Sequence, residues 1–300
     1  MTTGRFAPSP SAPLHLGNLR TALLAWCASR SVGGRHLLRI EDLTTSSAAD
    51  HAASQIDDLA AIGLDHDGEV VRQSTRSGRY EAAIEEIERL GLVYPCYCSR
   101  REIREASAAP HGPAPEGVYP GTCRDLTSSE RRSLERSGRR AALRLRASGV
   151  RVTVHDRMLG ERTWTVDDFV LRRADGVAAY NLAVVVDDGD QGVDLVVRGD
   201  DLWETTPRQA LLQQLLGIGT AEYLHVPLVL GPGGERLAKR DGAVTLTDRL
   251  ALGETVPQVI AMLAASAGLG RPGRDEMTVA EVLDRFDVDR LTREPWILSA

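Results

Sequence analysis

Strand-like and helical patterns alternate over the first 90 residues, and this alternation constrains the fold more than any other feature. The predicted order is a strand at GRFA (4–7), a helix over 17–31, a strand at HLLRI (36–40), and helices over 48–62 and 79–90. Strands separated by helices are typical of a parallel sheet, so the chain is predicted to be α/β. Cys27 lies in the apolar run of the first helix and is expected in the core.

The alternation breaks at residue 93. Residues 93–125 hold cysteines, prolines and glycines, 126–140 form a charged helical pattern, and RAALRLRA (140–147) and VRVTVHD (150–156) are predicted strands. This stretch has turn-forming residues and no regular alternation of strand and helix. The sequence therefore predicts an α+β module inserted over 93–174.

The α/β pattern returns near Val177. YNLAVVVDD (180–188) is a continuous apolar run, which is typical of a strand buried on both faces. Further strands are predicted at VDLVVRGDD and HVPLVLG, and helices at 205–216, 256–269 and 277–286. The predicted division is 1–92 and 175–250 for the two halves of the sheet domain, 93–174 for the module, and 251–300 for a short helical tail.

Charge is distributed unevenly along the chain. The net charge of −6 argues against a generic nucleic-acid binder, but residues 124–151 hold nine arginines and three acids. This segment is either a solvated helix with its flanks or a local patch for phosphate groups. No apolar run approaches the ~18 residues that a membrane span needs, and the N-terminus has no signal-peptide pattern. A cytoplasmic location without membrane contact is expected.

Two loops carry residues suited to phosphate chemistry. PSPSAPLHLGN (8–18) joins the first strand to the first helix, whose N-terminus attracts phosphate. There Gly17 lets a base approach the backbone, and His15 can donate a hydrogen bond to developing negative charge. In ERLAKRDG (235–242), Lys239 can neutralise a triphosphate. Neither loop is specific alone, since loop histidines and surface lysines are common.

Together the two loops resemble the signature sequences of class I aminoacyl-tRNA synthetases, with HLGN at 15–18 and RLAKR at 236–240. Four segments, GRFAPSPSAPLHLGNLRTALLAW, LLRIED, YNLAVVVDD and VVRGDDL, are similar to the pattern of glutamyl-tRNA synthetases. The resemblance runs over about residues 3–250. It implies a Rossmann-like parallel sheet and the activation of L-glutamate with ATP, which is accompanied by Mg²⁺.

The resemblance also implies roles for individual residues. The amino-acid pocket would be formed by Arg5, Ala7, Ser9, Glu41, Tyr180 and Arg198, and ATP would be bound by His15, Gly17, Asn18 and Lys239, with His15 and Lys239 catalytic. The chemistry agrees, because a dicarboxylic substrate needs arginines and its ammonium group needs an acid such as Glu41. The alternative for Arg5, Glu41 and Arg198 is ordinary ion pairing at the surface.

Three cysteines, Cys96, Cys98 and Cys123, fall within one short segment. Thiolates suit Zn²⁺ in a four-coordinate structural site, which leaves one ligand open. Chemistry alone nominates His111, because imidazole is a common ligand. CYCSRREI and YPGTCRDL resemble the zinc motif of glutamyl-queuosine tRNA(Asp) synthetases, and this resemblance implies Tyr119 instead. One structural zinc per chain is expected, and the alternative is a set of three buried free thiols.

The sequence departs from the glutamyl-tRNA synthetase pattern at several positions, among them Asn18 in the first signature and LTTSS after RIED. Ala12 stands where glycine is usual, and Arg236, Ala238 and Arg240 replace residues of the second signature. Only 61 residues follow Lys239, where a full glutamyl-tRNA synthetase carries a large helical anticodon-binding region. The resemblance therefore favours the truncated family, the glutamyl-queuosine tRNA(Asp) synthetases.

Members of that family activate glutamate without tRNA and esterify it to queuosine in the anticodon loop of tRNA(Asp). The resemblance thus implies L-glutamate, ATP and a queuosine-bearing anticodon stem-loop as partners, and a monomer is expected. Two alternatives stay open. One is a short glutamyl-tRNA synthetase that charges a 3′ end, and the other is a catalytically silent, zinc-stabilised binding module.

Overall fold

The computed structural model describes residues 1–43, 48–108, 119–147, 149–235, 237 and 244–298, without the side chains of 48, 49 and 105–108. A seven-stranded sheet forms its centre, in the order β3-β2-β1-β9-β10-β6-β7. These strands are β1 (Thr3–Phe6), β2 (Arg35–Ile40), β3 (Val71–Arg72), β6 (Arg151–Asp156), β7 (Gly160–Thr165), β9 (Leu195–Gly199) and β10 (Glu222–Val226). All neighbours pair in parallel except β6 and β7, which form an antiparallel hairpin. The predicted parallel α/β class is confirmed.

Helices cover both faces of the sheet. The helices of the N-terminal and central regions are α1 (Leu16–Arg30), α2 (Ala48–Ala61), α3 (Ser77–Arg89), α6 (Tyr180–Asp190) and α7 (Thr206–Leu215). Successive residues of β9 point to opposite faces, so Leu195 and Val197 join one apolar cluster and Val196 joins the other. Cys27 is fully buried in α1, as expected. Burial on both faces explains why the central strands are almost continuously apolar.

Helix α6 corrects one prediction, because YNLAVVVDD forms a helix and not a strand. Its residues Leu182 to Asp188 are all buried. Helix α6 packs between α3 and α7 beside the sheet, so it lacks the polar face that gives a helix its periodicity in the sequence. Three consecutive valines add strand propensity, and tertiary packing overrides that local preference.

A second, antiparallel sheet of three strands holds the cysteine segment. Its strands are β4 (Val93–Cys96), β5 (Ala142–Leu145) and β8 (Val170–Arg172), and the helices α4 (Arg100–Ala108) and α5 (Ser128–Arg136) lie between β4 and β5 in the chain. The hairpin of β6 and β7 falls within 93–174 but pairs with the large sheet, where Asp156 lies opposite Tyr223. The four-part division of the chain stays a prediction.

The residues after β10 pack against helix α1 and the apolar cluster on that face of the sheet. The predicted strand HVPLVLG is interrupted at Pro227, so β10 ends at Val226 and a separate strand β11 (Val229–Leu230) pairs with β12 (Trp296–Ile297). Proline cannot donate a ladder hydrogen bond, which explains the break. The helices here are α8 (Leu246–Ala251), α9 (Val256–Ser266) and α10 (Val279–Leu283). No helix in the described ranges is long and apolar enough to cross a membrane.

Candidate active site

The first site feature is the loop between β1 and α1, which ends at the helix N-terminus. His15 caps α1 by accepting a hydrogen bond at Nδ1 from the backbone N–H of Asn18, at 3.2 Å. Asn18 Oδ1 accepts in return from the backbone N–H of His15, also at 3.2 Å. This capping box leaves Nε2 of His15 available to a ligand, and burial lowers the pKa of His15 and favours its neutral form.

A cavity of about 400 Å³ opens beside this helix N-terminus. It is lined by His15, Gly17 and Asn18 and, from the end of β9 and beyond, by Gly199, Asp201, Leu228 and Leu237. Strands β1 and β9 are neighbours in the sheet although far apart in the chain, and ligands of open α/β sheets bind at such a point. Three of the four sequence-predicted ATP residues, His15, Gly17 and Asn18, therefore share one cavity. Lys239 lies outside the described residues.

Gly17 leaves no room for a side chain. A Cβ at this position would lie 2.9 Å from Cε1 of His15 and 3.3 Å from Cβ of Val229. The glycine thus allows the His15 ring to lie over the start of α1, and no side chain at position 17 projects into the cavity.

Arg5 and Glu41 lie at the carboxyl ends of β1 and β2, and one buried network connects them. Arg5 pairs with Asp188 of α6 at 3.3 Å, and Arg39 pairs with Asp188 at 2.7 Å and with Glu41 at 3.2 Å. All four side chains are almost completely buried. Burial raises the pKa of Glu41, and Arg39 opposes this rise. Surface ion pairing is therefore the wrong interpretation for these residues.

A second cavity, of about 620 Å³, lies next to this network. Its walls include Ser9, Glu41 and Tyr180 on one side and Cys96 and Cys98 on the other. Ala7 directly follows β1 and is partly buried. The cavity thus extends from the predicted amino-acid pocket to the cysteine module.

Arg198 differs from Arg5 in its partners. It is buried in β9, and its three nitrogens donate to neutral acceptors, namely Nε2 of His225 at 3.0 Å, Oε1 of Gln209 at 2.6 Å and Oγ1 of Thr206 at 2.8 Å. Among the described residues, no carboxylate lies within ion-pair distance of Arg198. Burial and the charge of Glu41 raise the pKa of the Tyr180 hydroxyl, whereas the charges of Arg198 and Arg5 lower it. Arg198 is therefore a buried cation close to the other predicted pocket residues.

The predicted zinc ligands also come together. Sγ of Cys98 lies 3.4 Å from Sγ of Cys123, and the hydroxyl of Tyr119 lies 3.3 Å from Sγ of Cys96 and 3.9 Å from Sγ of Cys98. The three thiols are all within 4.8 Å of one another. Arg144 stacks over the Tyr119 ring at 3.8 Å and lines the larger cavity. His111 lies outside the described residues.

Sequence reasoning missed three residues of the site: Arg39, Asp188 and His225. Each is a charged or polar side chain within or at the end of an apolar run, in HLLRI, VVVDD and HVPLVLG respectively. Buried polar residues are unusual and need partners, so their position in these runs was an available signal. Their partners could not be read from the sequence, because Arg39 and Asp188 are 149 positions apart.

Comparison with known proteins identifies the family. A family model of the catalytic domain of class I tRNA synthetases (E and Q) matches residues 1–300. A glutamyl-Q tRNA(Asp) synthetase of Nocardia farcinica is 57% identical over 297 residues, which cover 99% of this chain and 93% of the relative. The chain belongs to the glutamyl-Q tRNA(Asp) synthetase family. Another relative in this family, from Symbiobacterium thermophilum, is 46% identical and covers 98% of this chain and 95% of its own length.

Solved structures show the same fold as this glutamyl-Q tRNA(Asp) synthetase family member. A glutamate tRNA ligase from Elizabethkingia meningosepticum, in complex with its amino acid, superposes with a TM-score of 0.84 at 25% identity. The match covers 100% of this chain and 67% of that ligase. As a member of the glutamyl-Q tRNA(Asp) synthetases, the chain is an ATP-dependent ligase with a class I catalytic core, and class I synthetases use ATP with Mg²⁺.

Proposed function

We propose that this chain activates L-glutamate with ATP in the absence of tRNA and then transfers it to queuosine in the anticodon loop of tRNA(Asp). Its sequence identity to relatives with this name, over nearly their whole length, carries the proposal. In the first step a substrate carboxylate oxygen attacks the α-phosphorus of ATP, and pyrophosphate leaves. In the second step a queuosine hydroxyl attacks the activated carbonyl carbon, and AMP leaves.

Arg198 supports the choice of glutamate as the substrate. A buried guanidinium without a carboxylate partner is unfavourable until a ligand supplies one. Arg198 has N–H donors that its three neutral acceptors leave unused. A substrate carboxylate fits this site, because Arg and carboxylate form strong, planar pairs. Glutamine would leave the Arg198 charge unpaired, which explains discrimination between the two amino acids.

The other predicted residues complete the glutamate pocket in this proposal. Arg5 already shares the carboxylate of Asp188 with Arg39, so it provides hydrogen bonds to the substrate more than net charge. Glu41 receives the ammonium group, and its buried position strengthens that contact. Ser9 and Tyr180 form the wall toward the larger cavity, and Ala7 directly follows β1 between Arg5 and Ser9.

ATP is assigned to the cavity at the start of α1. The helix N-terminus attracts the phosphates, and His15 has its free Nε2 for the phosphate at which charge develops. Gly17 and Asn18 form the floor, where the missing Cβ of Gly17 allows close approach of the nucleotide. By resemblance, Lys239 steadies the phosphates, and Mg²⁺ accompanies ATP.

A zinc ion fits the cysteine cluster. With Zn–S of about 2.3 Å and Zn–O of about 2.0 Å, a tetrahedral site has S···S edges of about 3.8 Å and S···O edges of about 3.5 Å. The measured distances of 3.4 Å between two thiols and of 3.3 and 3.9 Å from thiols to the Tyr119 hydroxyl lie near these edges. We assign Cys96, Cys98, Tyr119 and Cys123 as ligands of one structural zinc. Bound there, the ion would tie β4 to the loop before α5.

The anticodon stem-loop is assigned to the face that carries the larger cavity. This cavity runs from Glu41 and Tyr180 to the cysteine module, and Arg100, Arg144 and Arg173 line it. Its volume of about 620 Å³ is within the range of pockets that bury a small organic ligand. A nucleoside that is swung out of the loop could enter it and reach the activated carboxyl group.

The arginine-rich segment supplies further positive charge, although part of it is already paired. Arg124, Arg139 and Arg146 pair with Asp168, Glu102 and Asp125 respectively. Helix α5 has no buried residue, and its exposed Arg132 and Arg136 are available to RNA phosphates.

Mapping the site of the label tests the proposal against its alternatives. The purified chain is incubated with labelled glutamate, ATP and tRNA that contains queuosine, and the tRNA is then cut into fragments. Label in the anticodon fragment of tRNA(Asp) is expected, and tRNA from cells that lack queuosine should take up none. Label at the 3′ adenosine would instead identify a short glutamyl-tRNA synthetase. A silent binding module would show no glutamate-dependent pyrophosphate–ATP exchange.

A further inference from the structure

Hydrogen bonds connect three side chains from adjacent strands inside the large sheet. Asp156 ends β6, His225 lies in β10 and Arg198 lies in β9. Oδ2 of Asp156 is 2.7 Å from Nδ1 of His225, and Nε of Arg198 donates to Nε2 of His225 at 3.0 Å. The side chains of Asp156 and His225 are both 0% exposed. Strand order brings these three side chains together, since β10 lies between β6 and β9.

Backbone N–H groups fix the carboxylate of Asp156. Oδ1 of Asp156 accepts from the N–H groups of Met158 at 2.9 Å and Leu159 at 2.8 Å, and Oδ2 also accepts from the N–H of His225 at 2.9 Å. Burial alone would raise the pKa of Asp156, but these hydrogen bonds and the bond from the His225 ring hold it below its usual value. Asp156 is therefore an anion that can only accept, and it requires a proton on Nδ1 of His225.

Arg198 determines the protonation of the other ring nitrogen, Nε2 of His225. Arg198 has donors only, so Nε2 of His225 must be unprotonated to accept from it. Oγ1 of Thr206 also lies 3.2 Å from Nε2, but its hydroxyl donates to the carbonyl of Leu202 at 3.0 Å and so leaves Nε2 to Arg198. Burial also lowers the pKa of His225, in agreement with a neutral ring. Both neighbours thus select one neutral tautomer, with the proton on Nδ1.

We infer that His225 and Asp156 are positioning residues that orient Arg198 for the carboxylate of glutamate. The inference rests on the proposed role of Arg198 as the substrate's partner. A neutral imidazole accepts a hydrogen bond from Nε of the guanidinium alone. A carboxylate in its place would neutralise the charge of Arg198 before substrate binds. Asp156 stabilises the buried cation from the far side of the ring. Arg5, in contrast, has Asp188 in direct contact, so part of its pairing capacity is used before substrate binds.

Paired substitutions at position 225 test the positioning role through glutamate-dependent pyrophosphate–ATP exchange. His225→Met removes the acceptor, and the KM for glutamate should rise about tenfold to a hundredfold, as expected for one hydrogen bond to a charged group, while the KM for ATP is unchanged. His225→Gln offers both an acceptor for Arg198 and a donor for Asp156, so its KM for glutamate should stay close to the wild-type value. His36→Gln is the control, since His36 is a buried histidine in β2 that contacts Ser29 and not the pocket.

The outcomes separate this inference from the proposed function. A wild-type chain without glutamate-dependent exchange would refute the proposed function. An active wild type with a normal glutamate KM in His225→Met, or equal damage in His225→Gln and His225→Met, would refute only the positioning role. A glutamate KM raised equally by His36→Gln would also refute it, because the effect would then be general destabilisation.

A measurement on the wild-type chain keeps the test independent of whether His225→Met folds. Two-bond ¹H–¹⁵N correlation spectra report which imidazole nitrogen carries the proton, and the His225→Gln spectrum assigns the His225 signals. A protonated Nδ1 and an unprotonated Nε2 at neutral pH are expected. A proton on Nε2 would overturn the inference, because that nitrogen could then not accept from Arg198.

Discussion

Replacing Arg198 by methionine tests the central electrostatic argument. Methionine keeps much of the length and apolar volume of the arginine stem but removes the charge. In the wild type the guanidinium has three neutral acceptors and no carboxylate among the described residues, so in the proposed pocket the substrate is expected to provide its counter-charge. The variant should therefore lose glutamate binding far more than ATP binding.

The size of the loss follows from the burial of Arg198. Truncating one partner of a buried, hydrogen-bonded charge pair costs about 2–5 kcal/mol. At about 1.4 kcal/mol per factor of ten, kcat/KM for glutamate should fall between about 30-fold and a few thousandfold. The preference for glutamate over glutamine should fall with it, because the variant no longer leaves a charge unpaired when glutamine binds.

The assay is pyrophosphate–ATP exchange without tRNA, with glutamate and then glutamine as substrate. Arg157→Met is a matched control, since Arg157 directly follows β6, is exposed and pairs with Glu222. Thermal unfolding of both variants shows whether the neutral partners of Arg198 tolerate its loss. A folded Arg198→Met variant with the wild-type kcat/KM and the wild-type discrimination would refute the reasoning.

Three further predictions concern the zinc, ATP and ammonium sites. Cys98→Ser should lose zinc, measured by elemental analysis of the purified chain, while wild type holds close to one ion per chain. Gly17→Ala should raise the KM for ATP more than that for glutamate in the exchange assay, because the new Cβ would meet the His15 ring at 2.9 Å. The KM for glutamate should rise as the pH falls through the raised pKa of Glu41, since only its carboxylate form binds ammonium, and Glu41→Gln should remove this inflection from the pH profile.

The sequence predicted those parts of the fold whose signals are local. Helix α1 was predicted because its apolar residues recur at helical spacing, which is a local signal. The cysteine cluster was predicted because ligand chemistry narrows the possible partners. Helix α6 was missed because it is buried on nearly every side, which removes the periodicity that separates helix from strand.

Long-range pairing set the other limit of prediction from sequence. The strand VRVTVHD was found, but nothing in its own residues shows that it joins the large sheet beside β10 instead of the small sheet. That placement brings Asp156 to His225, 69 positions away. The electrostatic environment of Arg198 therefore depends on strand order, which a single sequence does not contain.

The two pocket arginines illustrate why residue identity alone did not define their roles. Both were predicted to contact a carboxylate, and both are buried in neighbouring parallel strands. Arg5 belongs to a buried ion-pair network in which it shares Asp188 with Arg39, whereas Arg198 contacts neutral acceptors, with Asp156 on the far side of the imidazole ring. An unbound pocket with two uncompensated cations would be costly to fold, and one with none would accept glutamine. In the proposed pocket, leaving one arginine to be neutralised by substrate meets both requirements, and we expect selectivity for a carboxylate to follow from that asymmetry.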